Sequence, residues 1–162
     1  MARRSMIRPR RDGTYALDLP DPAVATLEHM CDELEALLST DSPLLARLFP
    51  PPYGDDTERN EGYAALATPE LIEHRMEAIS TLRSTLRSSR VTEEELLVWM
   101  RTLNDMRLVL GTLLGVEDDF FDPEVPEDLQ QSFAVYEFIG ALIEAVVAAL
   151  TRGGAAESGQ PD

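Results

Sequence analysis

The hydrophobic positions of this chain recur at helical spacing, most clearly between Val91 and Val116. Thr92 followed by Glu95 is the pattern of a capping box, in which each side chain satisfies a backbone N–H of the first turn. Apolar side chains then repeat every three or four residues, at Leu96, Trp99, Met100, Leu103, Leu110, Leu113 and Leu114. Gly115 is suited to end the helix. Because its second half is apolar almost all round, we expect this helix to be central and buried.

An earlier helix is predicted to begin with Asp21 as N-cap and Pro22 as first helical residue, and to run to about Ser39. Its apolar stripe consists of Val24, Leu27, Cys31, Leu34 and Leu38. A short helix over residues 41–49 and a rigid proline corner at residues 50–56 follow. On this reading the Cys31 side chain faces the core, as an inert buried thiol.

Two helices are predicted between the proline corner and the central helix. Residues 57–67 form a short polar one, and Thr68 with Pro69 then begins a second that runs to about Ser88. The stripe of this second helix is Ile72, Arg75, Ile79, Leu82 and Leu86. Because the link at residues 89–91 is short, we expect this helix to pack antiparallel to the central one.

The two ends of the chain have different patterns. Ile7 to Leu19 reads as a β-hairpin with its turn at Asp12-Gly13 and with Pro9 on an edge strand. The last helix is predicted from about Pro126 to Arg152, ended by Gly153-Gly154, and its main stripe is Leu129, Phe133, Tyr136, Gly140, Ile143, Val147 and Leu150. Further apolar positions widen this stripe, so the helix is either central or forms a homodimer through its second face. Phe120 and Phe121, in the acidic loop before it, are expected to fold back onto the core.

Together these elements predict a mainly α protein, a compact bundle of about five to six helices with a short N-terminal β-hairpin. We divide the chain into a flexible basic N-terminus (1–5), a single helical domain with its hairpin (6–152) and a disordered tail (153–162). A length of 162 residues is enough for one domain with a substantial core. No signal peptide is visible, and the longest apolar segment, residues 138–150, is too short to span a bilayer, so we expect a cytoplasmic protein.

Charge narrows the function classes. The formal net charge is −16, and all 14 basic residues are arginine. So acidic a chain disfavours non-specific binding to nucleic acid or to anionic membranes. The N-terminal arm is the exception, because it carries Arg3, Arg4, Arg8, Arg10 and Arg11. These arginines could contact phosphates or an acidic partner, or could serve only to solubilise the terminus.

Few residues point to catalysis or to a metal. Cys31 is alone, and neither His29 nor His74 stands in a recognisable catalytic or zinc-binding motif. No glycine-rich loop is present that could hold a phosphate. We therefore expect a non-enzymatic protein without cofactor or metal.

A polar cluster interrupts the apolar faces of the two central helices. Arg75 lies on an otherwise apolar stripe, and Asp105 is the carboxylate that we expect to pair with it. Asn104 or Arg107 could complete a small network. A buried ion pair that fixes the helix register is the main interpretation. The alternative is a ligand site, which would require an open pocket around Arg75, Asn104 and Asp105.

A second group of arginines suggests a binding surface. Arg83, Arg87 and Arg90 follow one helical face, without acidic residues at i±4 on their own helix. The helix after them begins with three glutamates, which phosphates would repel, so a helix-turn-helix contact with DNA is disfavoured. We expect this stripe to bind protein, with DNA binding through the N-terminal arginines as the alternative.

The run Trp99-Met-Arg-Thr-Leu-Asn104-Asp105-Met-Arg107-Leu-Val-Leu-Gly111 resembles the signature of an actinobacterial family of unknown function, typified by the actinomycete oxidative stress regulator. The order of parts is also similar: an arginine-rich hairpin, a first helix, a Pro52-x-x-Asp55-Asp56 corner and then the signature. The resemblance covers roughly residues 5–150. It implies a stress-response regulator that binds proteins of the transcription machinery, such as a sigma factor, with promoter contact as a further expectation.

The resemblance also bears on protein turnover and on redox sensing. Genes of this family often neighbour that of the Clp protease adaptor, which gives a role in protein turnover as a second expectation. The redox sensing implied by the regulator's name uses a cysteine pair near the N-terminus, where this chain has none. A thiol switch would therefore have to rely on Cys31 pairing between subunits.

Overall fold

A computed structural model of the chain describes residues 5–116 and 126–158. In these residues, four helices stand beside a small antiparallel sheet. The elements are β1 (Ile7–Pro9), β2 (Tyr15–Leu17), α1 (Asp21–Leu38), α2 (Thr57–Thr85), β3 (Arg90–Val91), α3 (Glu93–Leu114) and α4 (Gln130–Ser158). Short 3₁₀ turns at Pro43–Leu45 and Glu127–Leu129 complete them. The mainly α class is confirmed, but the expected five to six helices are four.

The ends of α3 match the prediction closely. The Thr92 hydroxyl accepts from the Glu95 N–H at 3.1 Å, and the Glu95 carboxylate accepts from the Thr92 N–H at 2.9 Å. Gly115 ends the helix in the left-handed conformation, with φ +70°. The helix packs between α2 and α4. It is not buried all round, however, because Leu97 and Leu113 remain 38% and 41% exposed.

The largest departure from the predicted pattern is α2. Thr68 and Pro69 do not begin a helix, because α2 runs unbroken from Thr57 through both of them. Proline inside a helix removes one backbone hydrogen bond, here the one to the carbonyl of Ala65. Ala65 is exposed, so water can satisfy that carbonyl. The helix is capped instead by Asp56, whose carboxylate accepts from the Arg59 N–H at 3.2 Å.

The predicted hairpin is present, and a third strand extends it. β1 and β2 are antiparallel with Ile7 opposite Leu17, and Pro9 lies on the edge strand as expected. The link between α2 and α3 forms β3, which places Val91 opposite Tyr15. This strand could not be predicted from the sequence, because two residues carry no periodic signal. The sheet order is β1-β2-β3.

α4 differs from its prediction at its end and in its buried face. Gly153 and Gly154 do not end it, since the helix continues to Ser158. A Cβ at Gly153 would overlap the Tyr15 hydroxyl, so this glycine serves close packing against the sheet. The wholly buried residues are Ile139, Leu142, Val146 and Ala149. They come mainly from the positions that widened the predicted stripe, whereas Val147 of the main stripe is 45% exposed.

The remaining predictions concern α1, residues 41–49 and the two ends of the chain. The α1 stripe is wholly as predicted, with all five side chains buried, although the residue that precedes the helix is Pro20 and no side chain caps it. Residues 41–49 contain only the 3₁₀ turn, capped by the Ser42 hydroxyl. Disorder was expected from residue 153 to 162, but residues 153–158 belong to α4. The rest of that tail, residues 1–4 of the N-terminus expected to be flexible (1–5), and the placements expected for Phe120 and Phe121 lie outside the described residues.

Candidate functional site

Arg75 and Asp105 form the ion pair that the sequence predicted. The Arg75 guanidinium donates to the Asp105 carboxylate at 3.1 Å, which joins α2 to α3. Arg75 also donates to the backbone carbonyl of Leu48 at 2.9 Å and lies over the Phe49 ring at 5.2 Å. One side chain therefore holds three segments together, in agreement with the main interpretation of a register-fixing pair.

Burial gives this pair an electrostatic cost. Desolvation raises the pKa of Asp105 above its usual range, while the Arg75 charge acts in the opposite direction. Among the described residues, the Arg75 Nε atom and the Thr102 hydroxyl are buried without a hydrogen-bond partner. Arg75 is thus a structural ion-pair residue whose remaining nitrogen is enclosed by protein.

The other signature residues do not join this pair. Asn104 and Arg107 are exposed, and Arg107 lies over the Tyr136 ring of α4 at 5.3 Å. Trp99 is wholly buried and donates from its indole N–H to the Thr85 hydroxyl at 2.7 Å. The expected network with Asn104 or Arg107 is therefore wrong. The signature instead joins α3 to α2 through Asp105 and Trp99, and to α4 through Arg107.

The stripe of Arg83, Arg87 and Arg90 is paired within the chain. Arg83 donates to both Asp32 and Glu35 of α1 at 2.9 Å, and its hydrogen bond to Glu35 is the main reason its pKa is raised. The remaining two pairs are Arg87 with Glu28 at 2.8 Å and Arg90 with Asp12 at 3.5 Å. The prediction of a free basic stripe rested on the absence of acids at i±4 on the same helix. The acids come from α1 and the hairpin, so the stripe is an intramolecular seam and not a free basic surface.

The N-terminal arginines are partly engaged in the same way. Arg8 lies 3.9 Å from Asp18, and Arg10 lies 3.9 Å from Asp12. Arg11 is exposed at the hairpin turn. Arg3 and Arg4 lie outside the described residues.

Cys31 is a core residue with no exposed surface, as its place in the α1 stripe predicted. Desolvation raises the pKa of its thiol to about 11. Only the thiolate is reactive, so both access and protonation oppose oxidation. Pairing between subunits would require this part of the core to open.

An apolar groove, which sequence reasoning did not find, lies between α1, α3 and the beginning of α4. Its volume is about 360 Å³. Apolar residues line most of it: Met30, Leu34, Leu37, Leu44, Met106, Val109, Leu110, Leu113 and Val135. Its polar lining is His29, Glu33, Asp128, Gln131 and Ser132. Arg75, Asn104 and Asp105 do not border it, so this groove is not the open pocket that a ligand site at those residues would require.

Another exposed apolar surface is on α2. We call residues 57–71 its outer half and residues 72–85 its inner half. Large apolar side chains are exposed on the outer half and on the corner before it: Tyr53 at 47%, Tyr63 at 41%, Leu66 at 85% and Leu71 at 36%. The Asn60 side chain ties the corner to the helix, since it accepts from the Tyr53 N–H and donates to the Gly54 carbonyl, both at 3.0 Å.

A metal site and a membrane-spanning stretch are two other kinds of functional feature. Within the described ranges, no group of three or more His, Cys, Asp or Glu residues is placed to hold a metal ion. The stretch Glu127–Gly154 is long and apolar enough to cross a membrane by length and composition alone, a test that core helices of soluble proteins also pass. Ile139, Leu142, Val146 and Ala149 are wholly buried, but only 22% of the most apolar window of this stretch is buried. The apolar segment is therefore longer than the residues 138–150 that the sequence predicted, and core packing accounts for only part of its apolar character.

Comparison with known proteins identifies a family but no function. Residues 3–150 match the model of a domain of unknown function, DUF2017, and the chain therefore belongs to that family. Neither a curated protein nor a solved structure matches the chain.

Proposed function

We propose that this member of the DUF2017 family is a non-enzymatic, cytoplasmic regulatory protein that acts by binding other proteins. The resemblance of the Trp99–Gly111 run to the oxidative stress regulator family supports partners in the transcription machinery, such as a sigma factor. The observation that carries the proposal is the exposed apolar surface on the outer half of α2.

The outer half of α2 is poorly suited to stand alone. Tyr63 and Leu66 are exposed three residues apart, so they are neighbours on one face of the helix, whereas Leu71 is exposed on a different face. A helix of this length is marginal in water, and Gly62 and Pro69 weaken it further. Apolar side chains exposed together commonly mark a protein-binding site. A partner that covered Leu66 would therefore stabilise both the helix and the complex.

Charge supports a protein rather than a nucleic acid as the partner. The net charge is −16, and the basic stripe that might have attracted phosphates is neutralised by Asp32, Glu35 and Glu28. So acidic a surface steers basic protein surfaces towards itself and repels DNA.

The test is affinity capture of the tagged full chain from its own cytoplasm, under reducing and oxidising conditions, with wild type, Leu66→Gln and Leu97→Gln. Leu97 is the matched control, an exposed leucine on another helix. A sigma factor or polymerase subunit retained by wild type and Leu97→Gln, but reduced about tenfold by Leu66→Gln, is the expected result.

Other results would change the proposal. Clp components in the eluate would favour the alternative role in protein turnover. A partner lost only under oxidising conditions would give Cys31 a regulatory role. If no specific protein is retained, regulation by protein binding is contradicted.

Direct DNA binding through the N-terminal arginines is the rival function. It predicts binding whose affinity falls steeply with salt, because each neutralised phosphate releases counterions. Replacement of Arg8, Arg10 and Arg11 by alanine should then abolish it. Absent or salt-insensitive binding would exclude this rival.

A homodimer through α4 is a further candidate assembly. Phe133 and Tyr136 stack at 6.3 Å on the less buried face, and Val147 is 45% exposed. Sedimentation of wild type and Val147→Arg over a range of concentrations tests it, since a charge at this face should shift a dimer to monomer.

A further inference from the structure

We propose that the groove between α1, α3 and the start of α4 binds a basic amphipathic helix of a partner protein. The inference rests on the proposed function and adds a second docking site, separate from the outer half of α2, together with the chemistry of the partner segment that it binds. Three properties of the groove carry it: its apolar floor, its acidic rim and its open mouth.

The floor is apolar and adaptable. Leu34 of α1 and Leu110 of α3 form its buried base, and Met30 and Met106 line it beside them. Methionine side chains are unbranched and polarizable, so they can repack around partners of differing shape. The volume of about 360 Å³ lies within the range of about 300–1,000 Å³ typical of ligand pockets. This is room for a few apolar side chains, such as those on one face of a helix.

The rim carries negative charge on both sides. Glu33 belongs to α1 and Asp128 precedes α4, and the described residues that line the groove include no lysine or arginine. The nearest cationic candidate, His29, lies 3.8 Å from Glu33 and is exposed. Carboxylates beside an apolar floor complement a segment with apolar residues on one face and basic residues at its edges. They would repel acidic peptides, nucleic acids and anionic lipids.

The mouth is open to solvent at Leu113, which is 41% exposed although it is a large apolar residue. An amphipathic helix in a groove presents apolar anchors at i, i+3, i+4 and i+7. Leu113 is positioned to contact such anchors. It also has a close match in Leu97, which is on the same helix, is 38% exposed and does not line the groove.

The test uses two synthetic helical peptides of about four turns, with identical leucine anchors. One carries lysine at the remaining positions and the other glutamate. Binding of fluorescein-labelled peptide to the full chain is followed by anisotropy. The lysine peptide should bind, and Leu113→Gln should weaken it about tenfold, whereas Leu97→Gln should change affinity less than about twofold. The glutamate peptide should bind at least about tenfold more weakly.

A second pair of variants tests the rim. Glu33→Gln with Asp128→Asn should weaken the lysine peptide about fivefold and reduce its salt dependence. Glu94→Gln with Glu137→Asn removes the same charge from exposed positions outside the groove. This control pair should weaken binding of the lysine peptide less than half as much. Circular dichroism confirms that each variant is folded. Equal effects of the groove variants and their controls would overturn the proposal, because they would indicate only attraction to the net charge.

Failure of this inference can be separated from failure of the proposed function. If a captured cytoplasmic partner is retained equally by wild type and Leu113→Gln, the groove is not the docking site, but regulation by protein binding stands. If capture yields no specific protein but binding of the lysine peptide requires Leu113, the groove does bind basic helices, and the regulatory proposal fails.

Discussion

The two halves of α2 belong to one continuous helix but have opposite environments. In the inner half, Ile79 and Leu82 have no exposed surface, and Arg75 is paired with Asp105. In the outer half, Leu66 is 85% exposed, and the contacts that hold the helix come from its own N-terminus, through Asp56 and Asn60. Helix formation and core packing are therefore separate properties here. The inner half packs in the core, and the outer half leaves apolar surface exposed, which we propose as a binding surface.

Loss of the ion-pair partner of the inner half should have the largest effect. Asp105→Ala leaves the largely buried Arg75 without its carboxylate, and we expect the free energy of unfolding to fall by roughly 3 kcal/mol. Urea unfolding followed by circular dichroism measures it. The neighbouring exposed change Asn104→Ala should cost less than about 0.5 kcal/mol. A loss below about 1 kcal/mol for Asp105→Ala would contradict a stabilising role for the pair.

Leucine truncation compares the halves directly. Leu82→Ala opens a cavity in the core and should lower the free energy of unfolding by roughly 2–4 kcal/mol. Leu66→Ala, in the outer half, should change it by less than about 0.5 kcal/mol. The same urea experiment applies to both. Similar losses at the two positions would mean that the outer half is packed in solution, against another copy of the chain.

Cysteine labelling compares the accessibility of the core with that of the outer half. Cys31 packs in the core that the inner half helps to form, and its thiol has a pKa of about 11. A cysteine placed in the outer half by Ala65→Cys would be exposed. At pH near 8, iodoacetamide should modify it at least about 100-fold faster than Cys31, measured by peptide mass spectrometry. Comparable rates would show that Cys31 is accessible and would revive a thiol switch.

A substitution at Thr85 tests the hydrogen bond between the end of the inner half and the buried Trp99. Thr85→Val removes the acceptor of the buried Trp99 N–H, and we expect a cost of about 1–2 kcal/mol. Urea unfolding by tryptophan fluorescence follows both the stability and the environment of the ring. Ser84→Ala, an exposed change next to it, is the control and should be nearly neutral.

The smallest expected effect is local to the outer half. Asp56→Ala removes the N-cap of α2 and should destabilise the first turns of this helix locally by about 1 kcal/mol. Since the outer half contributes little to the core, we expect amide exchange over residues 57–67 to rise about fivefold while the urea midpoint stays the same. Asp55→Ala removes the same charge without the cap. A shifted midpoint would show that both halves unfold as one unit.

Local patterns allowed much of the fold to be predicted. The Thr92–Glu95 capping box, the Gly115 stop and the five-residue α1 stripe depend on neighbours within one or two turns, so the sequence contains all that is needed. The Arg75–Asp105 pair could also be predicted, because a lone charge on each of two facing apolar stripes has few other partners. Pro69 misled the prediction because proline occurs both at a helix start and, where the freed carbonyl is solvated, inside a helix.

The candidate sites depended more on distant contacts. The sequence showed Arg83, Arg87 and Arg90 on one face but could not show that Asp32, Glu35 and Glu28 of α1 would meet them. The groove combines residues from three helices, and no local pattern marks it. Gly153 was predicted to end α4, which is wrong, and only the approach of Tyr15 from the sheet shows why a side chain would not fit there.

The sequence by itself determined where α3 begins and ends, which face of α1 is apolar and which charges are unusual, because these follow from backbone hydrogen bonding and periodicity within a few residues. Tertiary structure alone decided which apolar faces are covered and which charges are neutralised, because burial and ion pairing depend on residues far apart in the chain. Leu82 and Leu66 illustrate the distinction: both are leucines in α2, and only the packing of the other helices leaves one buried and the other exposed.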